Sequence, residues 1–277
     1  MERDVVREDT MPELPEVESA RAVIERSGLG RAIVGVDDTD TWVCRPHSPG
    51  QIKNALVGRS LVVAHRRGKS MWCDTGEGGP ELGIHLGMSG KIVIADADGG
   101  EVDGGDYWEG RRQAGDYRWS RFALDFADGG RLMLVDPRRL GRVRLDPPVE
   151  SLGPDAATIT PAQFRAALAF GTAPVKARLL DQEAVAGIGN LLADQILWAA
   201  RINPGRRVDK LTDDDVARLL RATRRAVSSA IRDGGVHTLK VIPFRRAGGR
   251  CPRDGAPMTM SAVGGRTSWW CSAEQAL

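Results

Sequence analysis

The stretch FALDFADGGRLMLV, residues 122–135, contains two apolar runs separated by Ala-Asp-Gly-Gly. Asp-Gly between such runs is typical of a β-hairpin, because glycine adopts the positive φ that tight hairpin turns require. Short alternating segments of the same kind recur from Ala32 to Leu145, separated by Gly and Asp clusters. The pattern predicts an antiparallel β-sandwich or barrel of ordinary size.

Helical periodicity appears on both sides of this β-rich region. Before it, residues 17–29 repeat apolar side chains at helical spacing, with Pro15 suited to the first turn and Gly30 to the stop. After it, residues 146–156 form a Pro/Gly-rich linker, and four helical segments follow. The predicted caps of these helices are Thr160, Thr212 and Gly234. The predicted fold class is α+β.

The composition is that of an ordinary soluble protein, with 27% charged and 42% hydrophobic residues among 277. No apolar run approaches the roughly 20 residues that span a bilayer, and the polar start is unlike a signal peptide. Four cysteines over this length do not form a disulfide framework. We therefore expect a cytoplasmic protein with no membrane partner.

Positive charge is concentrated in the last third of the chain. From Arg201 onward there are fifteen basic and seven acidic residues, a balance of +8 within a total of +2. This asymmetry is typical of a polyanion partner. A solvated arginine-rich surface explains it equally well.

The N-terminal stretch TMPELPEVES, Thr10 to Ser19, predicts a covalent nucleophile if Met11 is the true start and is removed. Pro12 would then carry a free secondary amine beside Glu13. Such an amine forms a cationic iminium with an aldehyde-like carbon, and a helix N-terminus next to it favours its neutral form. Glu13 is within reach to transfer a proton. Taken alone, the two prolines are better explained as the start of a helix.

Residues 1–10 are interpreted as translated leader or extension. The codons for residues 7–9, Arg-Glu-Asp, can contain GGAGG, a bacterial ribosome-binding sequence, just before the Met11 codon.

Further motifs follow in order: HRRGKSMW, HLGMSGK, VDPRRLGRV, GIGNLLADQ, and a tail framed by CPRDGAPM and GGRTSWWC. Together with MPELPEVES, this ordered set resembles the formamidopyrimidine-DNA glycosylase / endonuclease VIII family, from Met11 to about Glu274. Each motif is weak alone, but the set is specific. The resemblance implies an N-terminal β-sandwich with a flanking helix, a helix–two-turn–helix domain and a finger hairpin.

The resemblance also implies a chemistry. Members excise oxidised bases and nick the abasic site by β,δ-elimination. Pro12 would be the Schiff-base nucleophile at the sugar C1′, Glu13 the proton donor and Lys69 a phosphate ligand that assists elimination. Arg266 holds the position of the finger arginine, which contacts phosphate beside the lesion.

A flipped-out nucleotide leaves a gap in the base stack. In this resemblance Met88, Arg138 and Leu140 match the residues that fill the gap, although the family usually has phenylalanine where this chain has Leu140. Core packing of Met88 and an Arg138–Asp136 pair are the alternatives. The implied DNA-binding residues are Met88, Arg138, Arg139, Leu140, Lys176 and Asn190, and Asn190 is also predicted to cap the helix after GIGN.

The tail departs from the family pattern of two Cys-x-x-Cys pairs separated by 16 residues. The spacing is retained, but the four positions are Cys251, Asp254, Cys271 and Glu274. Since carboxylates replace two thiolates, we expect no cofactor and a zincless hairpin packed through Trp269 and Trp270. A weak Cys-Asp-Cys-Glu zinc site is the alternative.

Two differences concern the substrate. The segment from Thr238 to Cys251 has little room for the long loop that covers 8-oxoguanine in family members, which favours other lesions. DYRWSRF replaces the family's histidine-containing approach to its central hairpin, so Trp119 and Arg121 are expected to alter that DNA contact.

The predicted organisation is leader 1–10, β-sandwich 11–146, helical domain 147–245 and hairpin 246–277. The predicted function is a monomeric bifunctional glycosylase and abasic-site lyase acting on damaged double-stranded DNA, nucleoid-associated when bound. A non-catalytic DNA-binding protein on the same scaffold is the alternative. An unrelated arginine-rich two-domain protein would require the ordered motifs to be chance.

Overall fold

The computed structural model describes residues 11–105 and 115–276. The chain divides into two compact units. One contains residues 11–15 and 151–276, and the other contains residues 16–150, so that the division falls inside the first helix. The leader predicted for residues 1–10 lies outside the described residues.

The unit of residues 16–150 is built from two antiparallel sheets. Its elements are α1 (Leu14–Ser27), β1 (Ile33–Asp37), α2 (Gln51–Leu56), β2 (Val63–Arg67), β3 (Ser70–Asp74), β4 (Leu82–His85), β5 (Lys91–Ala95), β6 (Glu101–Gly105), β7 (Ser120–Phe126), β8 (Arg131–Val135) and β9 (Arg142–Leu145). One sheet has the order β1-β7-β8-β5-β6 and the other β2-β3-β4-β9. Buried residues of both sheets share one apolar core with α1. The predicted β-sandwich is therefore confirmed.

The stretch FALDFADGGRLMLV forms the central hairpin of the larger sheet. β7 and β8 pair antiparallel, with Leu124 opposite Leu132, and Gly129 in the turn has a φ of 86°. Phe122, Leu124, Leu132 and Leu134 are buried in the core that lies between the sheets. Alternation along each strand directs these side chains to one face, which explains why the pattern predicted this element.

The other unit is mainly helical and ends in a two-stranded hairpin. Its elements are α3 (Pro161–Leu168), α4 (Val175–Leu180), α5 (Asn190–Ala200), α6 (Asp213–Asp233), three short 3-10 helices (Val208–Lys210, Val236–Thr238 and Ile242–Phe244), β10 (Met258–Val263) and β11 (Arg266–Cys271). Thr160 and Thr212 each form a capping box, and Gly234 ends α6 with a φ of 95°. The three predicted caps are confirmed.

Helix α5 lies at the centre of this unit. Ten of its eleven residues are buried, so that it is enclosed by its neighbours rather than lying at a surface. Leu14 packs in the same apolar core as α3 to α6. The start of the described chain is thereby anchored to the helical unit. Among the described residues, the structure contains no helix with the length and apolar character to span a bilayer.

Candidate functional site

The carboxylate of Glu13 caps the N-terminus of α5. It accepts hydrogen bonds from the backbone N–H groups of Gly189 at 2.9 Å, Leu191 at 2.7 Å and Leu192 at 3.1 Å. The N-terminal N–H groups of a helix have no partner within the helix and attract negative charge. A residue from the start of the chain thus supplies the cap of a helix almost 180 positions later, and it is only 1% exposed.

The close approach of Glu13 explains one glycine of the GIGN motif. A Cβ at Gly189 would lie 2.3 Å from the carboxyl carbon of Glu13, far inside van der Waals contact. Only glycine leaves space for the carboxylate at this point. The group that approaches this glycine closely is therefore a side chain of the same protein.

The prediction that Asn190 caps this helix is wrong. Asn190 is the first residue of α5, Gly189 is the N-cap, and Glu13 takes the N–H groups that Asn190 was expected to bind. Both amide atoms of Asn190 are buried, and neither has a hydrogen-bond partner within the described residues. Buried polar groups are rarely left unpaired, because each costs about 1–3 kcal/mol. The amide therefore suits a polar ligand at the start of α5.

The described chain begins beside the tip of the finger hairpin. Arg266, exposed at the start of β11, places Nη2 3.5 Å from the sulfur of Met11. Pro12 is buried next to it, and its nitrogen is in a peptide bond with Met11. The helical unit thus brings together Pro12, Glu13, Arg266 and the N-terminus of α5, which are far apart in sequence.

Lys176 has a different position from the predicted one. Its side chain is 0% exposed and its Nζ lies 2.7 Å from Asp194 Oδ1. It also donates to Ser268 Oγ at 2.8 Å and to the Thr267 carbonyl at 3.0 Å. An ammonium enclosed in this way is not presented to DNA. Lys176 was predicted to bind DNA, but the structure places it in an internal ion pair instead.

The Lys176 pair belongs to a buried network centred on Asp194 of α5. Asp194 Oδ2 accepts from Arg245 Nε at 2.8 Å and from the Trp269 N–H at 3.1 Å. The network joins α4, α5 and β11, the strand that begins with Arg266. Two cations more than offset the charge of this enclosed carboxylate, and their bonds fix the hairpin against the helices.

The four tail positions do not form a free ligand set. Their candidate ligand atoms lie within 4.8 Å of one another. However, both oxygens of Glu274 are ion-paired, one with Arg253 and the other with Arg201 at 3.3 Å. Asp254 accepts from the Cys271 thiol at 3.2 Å, and burial raises the pKa of Cys271 to about 11. A closed zinc site needs thiolates and unengaged carboxylates, so a zinc ion here would have to deprotonate the thiols and displace these ion pairs.

The hairpin was predicted to pack through Trp269 and Trp270, and this packing is confirmed for Trp269. Trp269 packs against a cluster formed by Trp198, Val241, Cys251, Met258 and Cys271. Trp270 is half-buried and lies outside that cluster in the described structure.

In the unit of residues 16–150, Asp136 organises the DPRRLG loop. Its fully buried carboxylate accepts from Ser89 Oγ at 2.6 Å, from the Arg138 N–H at 3.1 Å and from the Gly141 N–H at 2.7 Å. The Ser89 bond ties the loop to the turn that carries Met88. This carboxylate therefore fixes two segments of the predicted gap-filling group.

The three predicted gap-filling residues lie on these two adjoining segments. A Cβ at Gly87 would meet the carbonyl carbon of Leu140 at 2.3 Å, so the two backbones are in direct contact. Leu140 is 41% exposed, Arg138 is exposed and Met88 is half-buried. The guanidinium of Arg138 has no ion-pair partner among the described residues, whereas Arg139 forms a two-point pair with Asp40 at 2.9 Å. The alternative of an Arg138–Asp136 ion pair is excluded within that set, because only the Arg138 backbone contacts Asp136.

The sequence analysis missed His85, which lies two residues before Gly87 in HLGM. Its Nδ1 accepts the Gly87 N–H at 3.0 Å, which places the proton of the neutral ring on Nε2. Burial lowers the pKa of His85, and the positive charges of Lys69 and Arg144 lower it further. Lys69 occupies the tight turn between β2 and β3, as its position in GKS predicted. The histidine inside the HLGM motif was the available signal in the sequence.

Comparison with known proteins identifies the family. Residues 11–143 match the formamidopyrimidine-DNA glycosylase N-terminal domain and residues 151–241 match the H2TH domain of the same enzymes. The formamidopyrimidine-DNA glycosylase of a Parafrankia species is 31% identical over 96% of this chain and 98% of its own. That of Chloroflexus aurantiacus is 32% identical over 94% and 96%.

Solved structures agree with this assignment. Lactococcus lactis formamidopyrimidine-DNA glycosylase bound to DNA with an abasic site matches with a TM-score of 0.79 and 28% identity, over 95% of this chain and 99% of that one. MutM in complex with DNA containing carbocyclic 8-oxo-G matches with a TM-score of 0.79 and 27% identity, over the same shares of the two chains. The chain belongs to the formamidopyrimidine-DNA glycosylase family, whose members are DNA-repair glycosylases with abasic-site lyase activity.

Replacing Lys176 with methionine is expected to lower the free energy of unfolding by about 3–5 kcal/mol, because Asp194 loses a partner in a fully buried pair. Chemical denaturation measures the change. The exposed Lys210→Met is the matched control and should change stability by less than about 0.5 kcal/mol. If the Lys176→Met protein were as stable as the unmodified protein but bound DNA more weakly, Lys176 would be a DNA-binding residue after all.

The ring of His85 is expected to titrate below the usual histidine value of about 6.5. Because the folded protein favours the neutral ring, its contribution to stability is complete above that value. It is lost as the pH falls from about 6.5 through the folded-state pKa. NMR of the histidine rings measures the midpoint, and His85→Gln should flatten the decline of unfolding free energy on acidification. A midpoint at or above 6.5 would contradict the assignment.

Proposed function

We propose that this protein is a bifunctional DNA glycosylase and abasic-site lyase that acts through the amine of Pro12. The observation that carries the proposal is the capped α5 N-terminus. Glu13, the residue that follows Pro12, is held by three backbone N–H groups, and Arg266 reaches the same end of the chain. A protein that only bound DNA would need the carboxylate as a helix cap but would have no use for a proline amine beside it.

In the proposed reaction the chain starts at Pro12. The neutral amine attacks C1′ of the damaged nucleotide, the bond from C1′ to the base breaks, and the base leaves with a proton. The C1′–O4′ bond then breaks, O4′ takes a proton, and the amine nitrogen and C1′ are joined as a cationic iminium. The positive end of α5 favours the neutral amine before attack. Glu13 donates a proton to the sugar from its carboxyl form, and the carboxylate that remains stabilises the cation that forms. Loss of a C2′ proton then expels the 3′ phosphate, a second elimination expels the 5′ phosphate, and water releases the enzyme.

DNA contacts are proposed from both units separately. Arg266 and the unpaired amide of Asn190 suit phosphate oxygens, because helix N-termini and arginines bind phosphate well. Lys69, with the neutral His85 near it, is proposed to bind phosphate beside the flipped nucleotide. Met88, Arg138 and Leu140 are proposed to fill the gap. Arg139 is proposed to contact DNA while it retains its pair with Asp40.

The proposed substrates are lesions other than 8-oxoguanine. Support comes from the segment between Thr238 and Cys251, which forms a compact turn rather than a long loop. The Phe244 carbonyl accepts a hydrogen bond from the Arg246 N–H, and the Arg246 carbonyl accepts one from the Gly249 N–H, each at 2.9 Å. The side chain of Arg245 is held by the carboxylate of Asp194. A pocket without a covering loop suits oxidised pyrimidines, ring-opened purines, bulky adducts or abasic sites.

The finger hairpin is proposed to act without metal. Arg253 supports this role, since it pairs with Glu274, donates to the Trp198 carbonyl at 3.1 Å and lies 4.1 Å from the Trp198 ring centroid. Together with the Asp194 network, this arrangement holds both ends of β11. The hairpin therefore has protein contacts at the place where the family pattern has two Cys-x-x-Cys pairs.

One observation favours a second candidate function. The nitrogen of Pro12 is acylated by Met11 in the 277-residue chain, and its lone pair is delocalised into the Met11 carbonyl, so it does not act as a nucleophile. If the working protein retained Met11, it would be a non-catalytic DNA-binding protein on the same scaffold.

Borohydride trapping on a duplex with one abasic site distinguishes the two functions. We expect a covalent adduct with protein cleaved to begin at Pro12 and none with the 277-residue form. Protein beginning at Pro12 but carrying Lys69→Ala should still be trapped and should cleave the strand more slowly. Adducts with both forms would indicate another amine. Salt-sensitive binding without any adduct would favour the binding protein.

Arg266→Ala is expected to slow strand cleavage more than base removal and to weaken DNA binding across sequences. Because one phosphate contact is lost, the slope of the logarithm of the binding constant against the logarithm of the salt concentration should become shallower by about one unit. The exposed Arg232→Ala is the matched control for lost charge. If the two variants had equal effects, the proposed phosphate contact of Arg266 would be wrong.

Metal analysis of the purified protein is expected to find no stoichiometric zinc, and a chelator should leave the melting temperature unchanged. Glu274→Ala should lower that temperature, because Arg253 and Arg201 lose their carboxylate. One zinc per chain, together with unfolding by the chelator, would overturn the metal-free assignment.

A further inference from the structure

The gap-filling group described above contains no aromatic residue. Leu140 is aliphatic, Met88 is a flexible thioether and Arg138 is a cation. Stacking of an unpaired base on an aromatic side chain contributes about 1–3 kcal/mol, more than an aliphatic contact of similar size. An enzyme that removes a base from the stack therefore gains from an aromatic ring near the loop.

Such a ring lies next to the DPRRLG loop. Trp119 precedes β7 and is 40% exposed. Its carbonyl accepts the Asp136 N–H at 2.9 Å, and Arg121 Nε donates to the Asp136 carbonyl at 3.0 Å. The backbone N–H and the carbonyl of Asp136 are thus both hydrogen-bonded to the segment that contains Trp119. Because Asp136 also fixes the loop, the ring and Leu140 share one rigid support.

The surroundings of Trp119 are positively charged. The guanidinium of Arg121 lies 5.3 Å from the ring centroid and that of Arg118 lies 5.9 Å away. Arg118 is 69% exposed and pairs with Asp116 at 2.8 Å. Arg138 adds a third guanidinium on the same loop support. An exposed aromatic ring with arginines beside it suits a nucleic acid, which offers bases for stacking and phosphates for charge.

We propose that Trp119 stacks on an unpaired base of the damaged duplex and supplies the aromatic contact that Leu140 lacks. Arg121 and Arg118 bind the phosphates on either side of that base. The inference rests on the proposed function and extends it, since it assigns the base-stacking residue of the site.

A second exposed tryptophan provides a matched control. Trp42 is 52% exposed and belongs to the same unit. Arg45 lies 3.7 Å from its ring centroid and also donates to its carbonyl, so one face of that ring is already covered. The arginines near Trp119 are more distant, at 5.3 and 5.9 Å from its ring centroid. Trp42→Ala therefore removes the same residue type without removing the proposed stacking surface.

The test measures affinity for two duplexes, one with a tetrahydrofuran abasic analogue opposite 2-aminopurine and one undamaged. Trp119→Ala should weaken binding to the first about tenfold, equivalent to about 1.4 kcal/mol, and leave the second almost unchanged. Trp119→Phe should retain most of the affinity, and Trp42→Ala should match the unmodified protein. The double variant Trp119→Ala with Leu140→Phe should recover affinity, because it returns an aromatic ring to the loop. Quenching of 2-aminopurine fluorescence should follow the same order.

The outcomes separate this inference from the proposed function. Unchanged affinity of Trp119→Ala, an equal loss in Trp42→Ala, or an equal loss on both duplexes would overturn the stacking role while borohydride trapping remained positive. Failure of Leu140→Phe to recover any affinity would show that Trp119 does not replace the missing aromatic residue. Unmodified protein that neither binds the abasic duplex nor traps on it would overturn the proposed function itself and this inference with it.

Discussion

The hydrogen bonds between Glu13 and the start of α5 are the constraint on which the helical unit depends. A buried helix must have its first N–H groups satisfied, and α5 has no side-chain cap of its own. Glu13 supplies the missing acceptor and, by doing so, fixes Pro12 at a defined place. Gly189 leaves the space, and Asn190 is left with an unpaired amide. Helix capping and the proposed chemistry therefore use the same three N–H groups.

Two further buried carboxylates, those of Asp136 and Asp194, also hold their surroundings through hydrogen bonds and ion pairs. Asp136 satisfies backbone N–H groups and Ser89 and so shapes the loop of Arg138 and Leu140. Asp194 binds Lys176, Arg245 and a backbone N–H of β11. An enclosed carboxylate is destabilising unless each lone pair is used, so each of these residues holds its surroundings in one arrangement. In each case the segment held carries a residue proposed to contact DNA.

Ion pairs hold the finger hairpin, a small β-element, against the helices. Two strands alone bury too little surface to be stable. Here Arg253, Glu274 and Arg201 connect the end of the hairpin to α5 and the segment after it, while Asp194 holds its other strand. Arg266 is thus presented on a supported element. Because all these contacts lie within one unit, the position of Arg266 relative to Pro12 follows from them.

The sequence by itself determined the β-sandwich, the helices with the caps Thr160, Thr212 and Gly234, and the family, because periodicity, turn residues and ordered motifs are local properties. It also indicated Pro12, Glu13, Lys69 and Arg266 as chemically important. Only the tertiary structure decided that Glu13 rather than Asn190 caps α5, that Lys176 is enclosed with Asp194, that Glu274 is engaged by two arginines and that burial lowers the pKa of His85. Each of these facts depends on which distant groups share a buried space, and burial changes the energy of a charge far more than its place in a motif does.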